Sequence, residues 1–229
     1  MRGVWLALAL TAVALPVRGG AGVAAGQVFE VDYSNPGLSP SHWVLTLYPD
    51  GSGHFRSERG RMTNAAGPGA AQDAVTGIEA PDVDRDIRVS AEFAGRVFET
   101  AHRRKFFSSD CESHLKVAFQ GWKKLSYSGP DGEGGCAFNY SKDKEIQELG
   151  DSLVAVAGAI LEGARLESLL QHDRLGLDQE MEYLVEAAGD GRVQQICTIR
   201  GILERLADDP EVMERVRKRA RALLARGEG

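Results

Sequence analysis

The stretch from His42 to Ser57, HWVLTLYPDGSGHFRS, decides the fold class. Trp43, Leu45 and Leu47 share one face of an alternating strand, Asp50-Gly51 marks a turn, and Gly53 to Ser57 returns as the partner strand. Upstream, Val28 to Tyr33 alternates in the same way, with Phe29, Val31 and Tyr33 set against Val28, Glu30 and Asp32, until Asn35-Pro36-Gly37 breaks it. Downstream, Leu115 to Gln120, Trp122 to Ser128 and Gly135 to Tyr140 read as three further short strands. The turn Gly129-Pro130-Asp131-Gly132 joins the last two. Residues 58–73 are rich in Gly, Ala, Asn and Arg, show no period, and read as a mobile loop.

Around Ser90 the period changes. Val89, Phe93, Val97 and Ala101 recur every four residues with Phe98 beside them, which predicts an amphipathic helix ending near Arg103-Arg104-Lys105. Cations in that last turn suit the negative end of the helix dipole, and Phe106-Phe107 then anchors the exit in the core. From Ser141, placed to cap it, a longer helix runs to about His172 on Ile146, Leu149, Leu153, Val156 and Ile160. Three more helical segments follow. Asp178 to Ala188 buries Met181, Leu184, Val185 and Ala188, and Val193 to Ala207 buries Ile196, Ile199, Leu203 and Leu206. Asp209 caps the last, with Pro210 at its first position and Val212, Val216, Ala220 and Leu223 as its stripe. The expected class is α+β: an antiparallel sheet with one packed helix, followed by a C-terminal helical region of about four helices. The segments are 1–26 as a leader, 27–140 as a β-rich α+β domain, and 141–229 as the helical region.

The leader reads as a signal peptide. Arg2 precedes an apolar run from Val4 to Val17 of about 14 residues, closed by Pro16 and Arg18, which is shorter than the ~20 needed to span a bilayer. Small residues from Gly19 to Gly26 fit cleavage after Ala24, Ala25 or Gly26. No cysteine lies there to carry a lipid, and no later stretch is long and apolar enough to span a membrane. The expected product is exported, periplasmic or secreted. Residues 1–26 hold two arginines and no acid, so setting them aside leaves 25 basic against 33 acidic residues, a net charge of −8. That balance excludes a general nucleic-acid binder.

Export permits a disulfide. Cys111 follows the loop-like Ser108-Ser109-Asp110 and Cys136 follows Gly134-Gly135, so these two are the expected pair, against the alternative of three buried thiols. Cys197, within the apolar pattern Ile196-Cys197-x-Ile199, reads as a small core hydrophobe. No CxxC, phosphate-binding glycine loop, nucleophile elbow or HExxH occurs, and no cofactor or metal is expected. His42 and His54 face each other across the hairpin without a carboxylate placed to complete a metal site. Asp110, Cys111, Glu112 and His114 crowd one loop; a bridged cysteine offers no thiolate, so the loop reads as structural. The last helix carries Arg215, Arg217, Lys218, Arg219, Arg221 and Arg226 against Glu211 and Glu214. Arg215, Lys218, Arg219 and Arg221 are its candidate partner-binding face, toward an acidic protein or an anionic polymer, against the plainer reading of a solvated helix face.

The order of elements over residues 27–160 (a strand, the hairpin at Asp50-Gly51, a helix ending at the Phe106-Phe107 pair, paired strands and a following helix) resembles the emfourin-type domain. That family comprises small bacterial inhibitors of thermolysin-like metalloproteases together with other secreted proteins. The resemblance implies an exported protease-inhibiting domain. The family's glycine-rich opening loop is absent, Asn35-Pro36-Gly37 standing in its place, and no inhibitory residue carries over. The expected function is a non-enzymatic exported binding protein, with another protein as partner. Two alternatives remain: an envelope structural protein using the basic helix on an anionic partner, and an enzyme whose site joins the Asp110–His114 loop to His172 and Asp173.

Overall fold

In the computed structural model the described residues are 26–58 and 82–227. The signal-peptide reading thus falls outside them up to residue 25, and so does the expected loop from residue 59 onward, Glu58 being the last residue of a strand.

Six strands form one antiparallel sheet: β1 (Val28–Ser34), β2 (His42–Leu47), β3 (Ser52–Glu58), β4 (Val83–Arg88), β5 (Trp122–Gly129) and β6 (Gly132–Phe138), in the order β4-β3-β2-β1-β5-β6. The hairpin closes in the register the alternation requires, with Leu45 opposite Phe55 and Leu47 opposite Gly53. Gly51 takes the left-handed turn position at φ 80°, and the Asp50 carboxylate accepts the Ser52 amide at 3.0 Å. A row of side chains then runs across the sheet through Phe55, Leu45, Val31, Leu125 and Cys136.

Two strand expectations change. Leu115–Gln120 forms no strand, and β4 takes the sixth place in the sheet. The VDRDIR sequence of β4 conceals its alternation because one inward position is charged: Val83 and Ile87 are buried, while Arg85 between them reaches Glu167 at 2.7 Å. Charges at an exposed edge also deter pairing with another chain.

Helix α1 (Ala91–Arg103) starts where the Ser90 hydroxyl accepts the Phe93 amide, and lays Phe93, Ala94, Val97, Phe98 and Ala101 on the sheet. Helix α2 (Lys144–His172) is capped by Asp143, which accepts the Glu145 and Ile146 amides, and Ser141 instead supports Asp143. Helix α3 (Leu177–Asp190) ends at Gly191 with φ 84°. The helix expected from Val193 begins only at Arg200, as α4 (Arg200–Asp208), because Gln195 adopts φ 57° and only a short 3-10 turn (Ile196–Ile199) follows. Asp209 and Pro210 belong to the turn before α5 (Glu214–Arg226) rather than to its cap.

Helix α2 has 29 residues and is about 43 Å long. Its N-terminal portion, through Ile146, Leu149, Leu153, Val156, Ile160 and Ala164, completes the core against the sheet and α1. Ala159, Leu166 and Leu169 join a second core with Leu177, Met181 and Leu184 of α3, Leu203 and Leu206 of α4, and Val216 and Leu223 of α5. A Cβ at Gly163 would collide with the Ile199 side chain, so this glycine permits the close approach of the 3-10 turn. The expected boundary at residue 140 thus falls just ahead of a helix common to both cores.

Candidate binding surface

Helix α1 exits through three consecutive non-glycine residues of positive φ, Lys105 (49°), Phe106 (58°) and Phe107 (60°), a conformation that costs roughly 1–2 kcal/mol per residue in L-amino acids. Packing holds it there. Phe107 is fully buried, and Phe106 stacks on Tyr127 at 4.7 Å over Gly132 and Gly134, where side chains would collide with it. Tyr127 donates to Asp131 at 2.6 Å, and His102 of α1 meets the same carboxylate at 3.1 Å, tying the helix to the β5–β6 turn. This cluster was not legible in the sequence, where its members stand up to 29 residues apart.

The chain then enters the segment 108–121, whose ends are fastened to the sheet. Cys111 and Cys136 form a disulfide, as expected. The Glu112 carboxylate accepts the Asn139 amide at 2.7 Å and the His114 amide at 3.1 Å. Burial opposes ionisation of Glu112, but those amides outweigh it and hold its carboxyl below the ordinary range. Asn139 takes the Gln120 amide on its Oδ1 at 2.6 Å and donates to the Ala118 carbonyl at 3.3 Å. Tyr33 donates its hydroxyl to the Gln120 carbonyl at 2.7 Å, and Gly121, at φ 106°, lets the backbone pass directly over that ring. Under the turn, the Lys123 stem crosses Gly150 of α2, and its ammonium meets the Asn139 carbonyl at 3.3 Å and Asp151 at 3.7 Å.

What the braced segment presents is apolar. Leu115 is 51% exposed, Val117 40%, Phe119 51% and Trp122 46%, with the Phe119 and Trp122 rings edge to face at 6.5 Å. Large apolar side chains gathered on one exposed surface mark an interaction site more often than scattered ones do. The charges beside them are Lys116 and Lys124, both exposed and without an ion-pair partner among the described residues, and Asp32, which lies opposite Lys124 on β1 and is held by His42 at 2.9 Å. Asp110 is held by His114 at 2.9 Å, and that bond, with the Glu112 amide, depresses its carboxyl.

The other sequence-derived candidates fall elsewhere. Ser113 bonds the Tyr140 carbonyl near the start of α2, whereas His172 closes the far end of that helix, so the two halves of the conjectured enzyme site stand about 40 Å apart. Cys111 is oxidised and Glu112 accepts backbone amides. On α5, Arg215 and Arg219 both meet Asp178 of α3 at 2.6 Å, Arg221 donates to the Ala207 carbonyl ending α4, and Arg217 pairs with Glu214. Only Lys218 of the four proposed contact residues stands without such a bond among the described residues. Cys197 is not a helical core residue. It is half-buried in the 3-10 turn, at the wall of a cleft of about 520 Å³, and burial pushes its thiol up. No helix among the described residues is long and apolar enough to cross a membrane.

His42 and His54 lie on the open face of the sheet opposite Glu58 and Thr46, about 13 Å apart along the strands. Carboxylates from neighbouring strands meet each: Asp32 lies 2.9 Å from His42, and Asp84 and Asp86 lie 3.0 and 2.9 Å from His54. No group of three or more His, Cys, Asp or Glu side chains is arranged to hold a metal ion among the described residues. The hydrogen bond to Asp86, followed by the pull of Asp84, raises the His54 pKa above its ordinary 6.5. A raised folded-state value stabilises the protonated form, so this contribution is complete below about pH 6.5 and is lost as the pH rises through the folded value. The wild type is therefore expected to melt above His54→Gln at pH 5.5, with the gap closing at pH 8.5. A gap unchanged between the two would contradict the linkage.

No protein-family model, curated protein or solved structure matches this chain.

Proposed function

We propose that this chain is an exported, non-enzymatic binding protein whose contact surface is the braced loop from Cys111 to Trp122. The observation that carries the reading is the pairing of exposure with fixation: four large apolar side chains face solvent on a segment pinned by a disulfide, Glu112 and Asn139. A loop already ordered in its binding shape loses less entropy on association, and aromatic anchors such as Phe119 and Trp122 contribute most of the affinity at interfaces of this kind. The disulfide accords with an oxidising compartment.

The likeness of residues 27–160 to the emfourin-type domain names the first partner class to try, because those residues include the loop. Purified protein without the leader is titrated against a thermolysin-like protease, a subtilisin-like protease and trypsin. Stoichiometric inhibition of one is expected, weakened roughly 100-fold in Phe119→Ser/Trp122→Ser. Inhibition of none would remove the inhibitor reading. Inhibition unchanged in the double variant would remove the loop as its surface.

A further inference from the structure

We infer that the segment from Lys116 to Phe119 takes up an extended stretch of a partner polypeptide as an added strand, one in which apolar residues alternate with acidic ones. The inference rests on the loop being the contact surface and names the chemistry of what it holds.

Leu115, Val117 and Phe119 alternate with Lys116, Ala118 and Gln120, the composition of a half-buried strand, yet no ladder to this segment occurs among the described residues. Its backbone is correspondingly open. The amides of Lys116, Ala118 and Phe119 and the carbonyls of Lys116, Val117 and Phe119 have no hydrogen-bond partner among the described residues. The groups around them are held: the Leu115 amide by the Ser113 hydroxyl, the Val117 amide by the Leu115 carbonyl, the Gln120 amide and the Ala118 carbonyl by Asn139. Fixed ends with an open middle leave donors and acceptors that a second chain can satisfy, which is the basis of strand addition.

The sign of the rim gives the rest of the partner. Lys116 and Lys124 stand exposed beside the apolar row, while Glu112 is taken by backbone amides and Asp110 by His114. A basic rim on a chain of net negative charge selects acidic side chains in the incoming segment. The same open amides weigh against a bilayer as the occupant, since hydrocarbon offers them nothing to bond.

The test selects a displayed library of random dodecapeptides on the whole protein lacking its leader. Enriched peptides are expected to alternate apolar with acidic residues. Ala118→Pro, which removes one open amide and leaves all four apolar side chains, should weaken them roughly tenfold or more. In the wild type, the Lys116 and Ala118 amides, which share one edge of an extended segment while Phe119 faces the other, should gain protection from hydrogen exchange when the selected peptide binds, a readout that holds even if the proline variant folds poorly. Absence of enrichment, or binding without protection at these amides, overturns strand addition. Peptides weakened by Phe119→Ser but not by Ala118→Pro would overturn it while leaving the contact surface standing. Peptides indifferent to both would overturn the surface as well.

Discussion

Placing proline at Ala157 is expected to destabilise the protein by about 3 kcal/mol or more and to divide its unfolding into two steps. Ala157 is buried near the middle of α2, where proline removes the amide bonded to the Leu153 carbonyl and drives its ring against that oxygen. The site matters because the sheet core and the helical core share this one helix, through Leu153, Val156 and Ile160 on one side and Ala159, Leu166 and Leu169 on the other. The described tryptophans, Trp43 and Trp122, both belong to the sheet, so their fluorescence reports that core while far-ultraviolet dichroism reports mainly the helices. In urea the two signals should coincide for the wild type and separate for Ala157→Pro. Coincident curves in the variant, or separate curves in the wild type, would show that α2 does not couple the cores.

The second large effect is expected at the disulfide. Cys111 and Cys136 are 25 residues apart, and releasing that closure in Cys111→Ser/Cys136→Ser should lower stability by about 3 kcal/mol on the chain-entropy account. Urea denaturation of the wild type and the variant gives the difference directly. The effect should also reach the loop: with one anchor gone, the four apolar side chains remain but must be ordered at binding, so affinity falls although no contact residue has changed. A loss well under 1 kcal/mol would mean that Glu112 and Asn139 fix the segment unaided.

The sheet's central strands and α1 were legible because each presents one periodic apolar face to one core, and α2 because its stripe keeps a helical period along both cores. β4 was not, since its inward Arg85 is solved by Glu167, a residue 82 positions away. The opposite error at Leu115–Gln120 has a different origin. The alternation there is real, but alternation measures a surface that can be buried, and among the described residues nothing buries it. The exposed apolar row was therefore present in the sequence, read as a strand. The ion pairs of the basic stripe of α5 were hidden for a related reason: Asp178, which Arg215 and Arg219 meet, lies on another helix and leaves no local trace. The breaks at Gln195 and Met213 depend on tertiary packing, which overrides local helix preference. The disulfide, by contrast, could be read from context because both cysteines sit in loop-like or glycine-rich surroundings that allow them to meet.

The most direct test of the loop as contact surface places a photo-cross-linking phenylalanine analogue at Phe119, at Thr46 on the open sheet face, and at Lys218 on α5, in the cell that produces the protein. A discrete adduct from position 119, with none from 46 or 218, is the predicted result. An adduct from position 218 or 46 with none from 119 would contradict it.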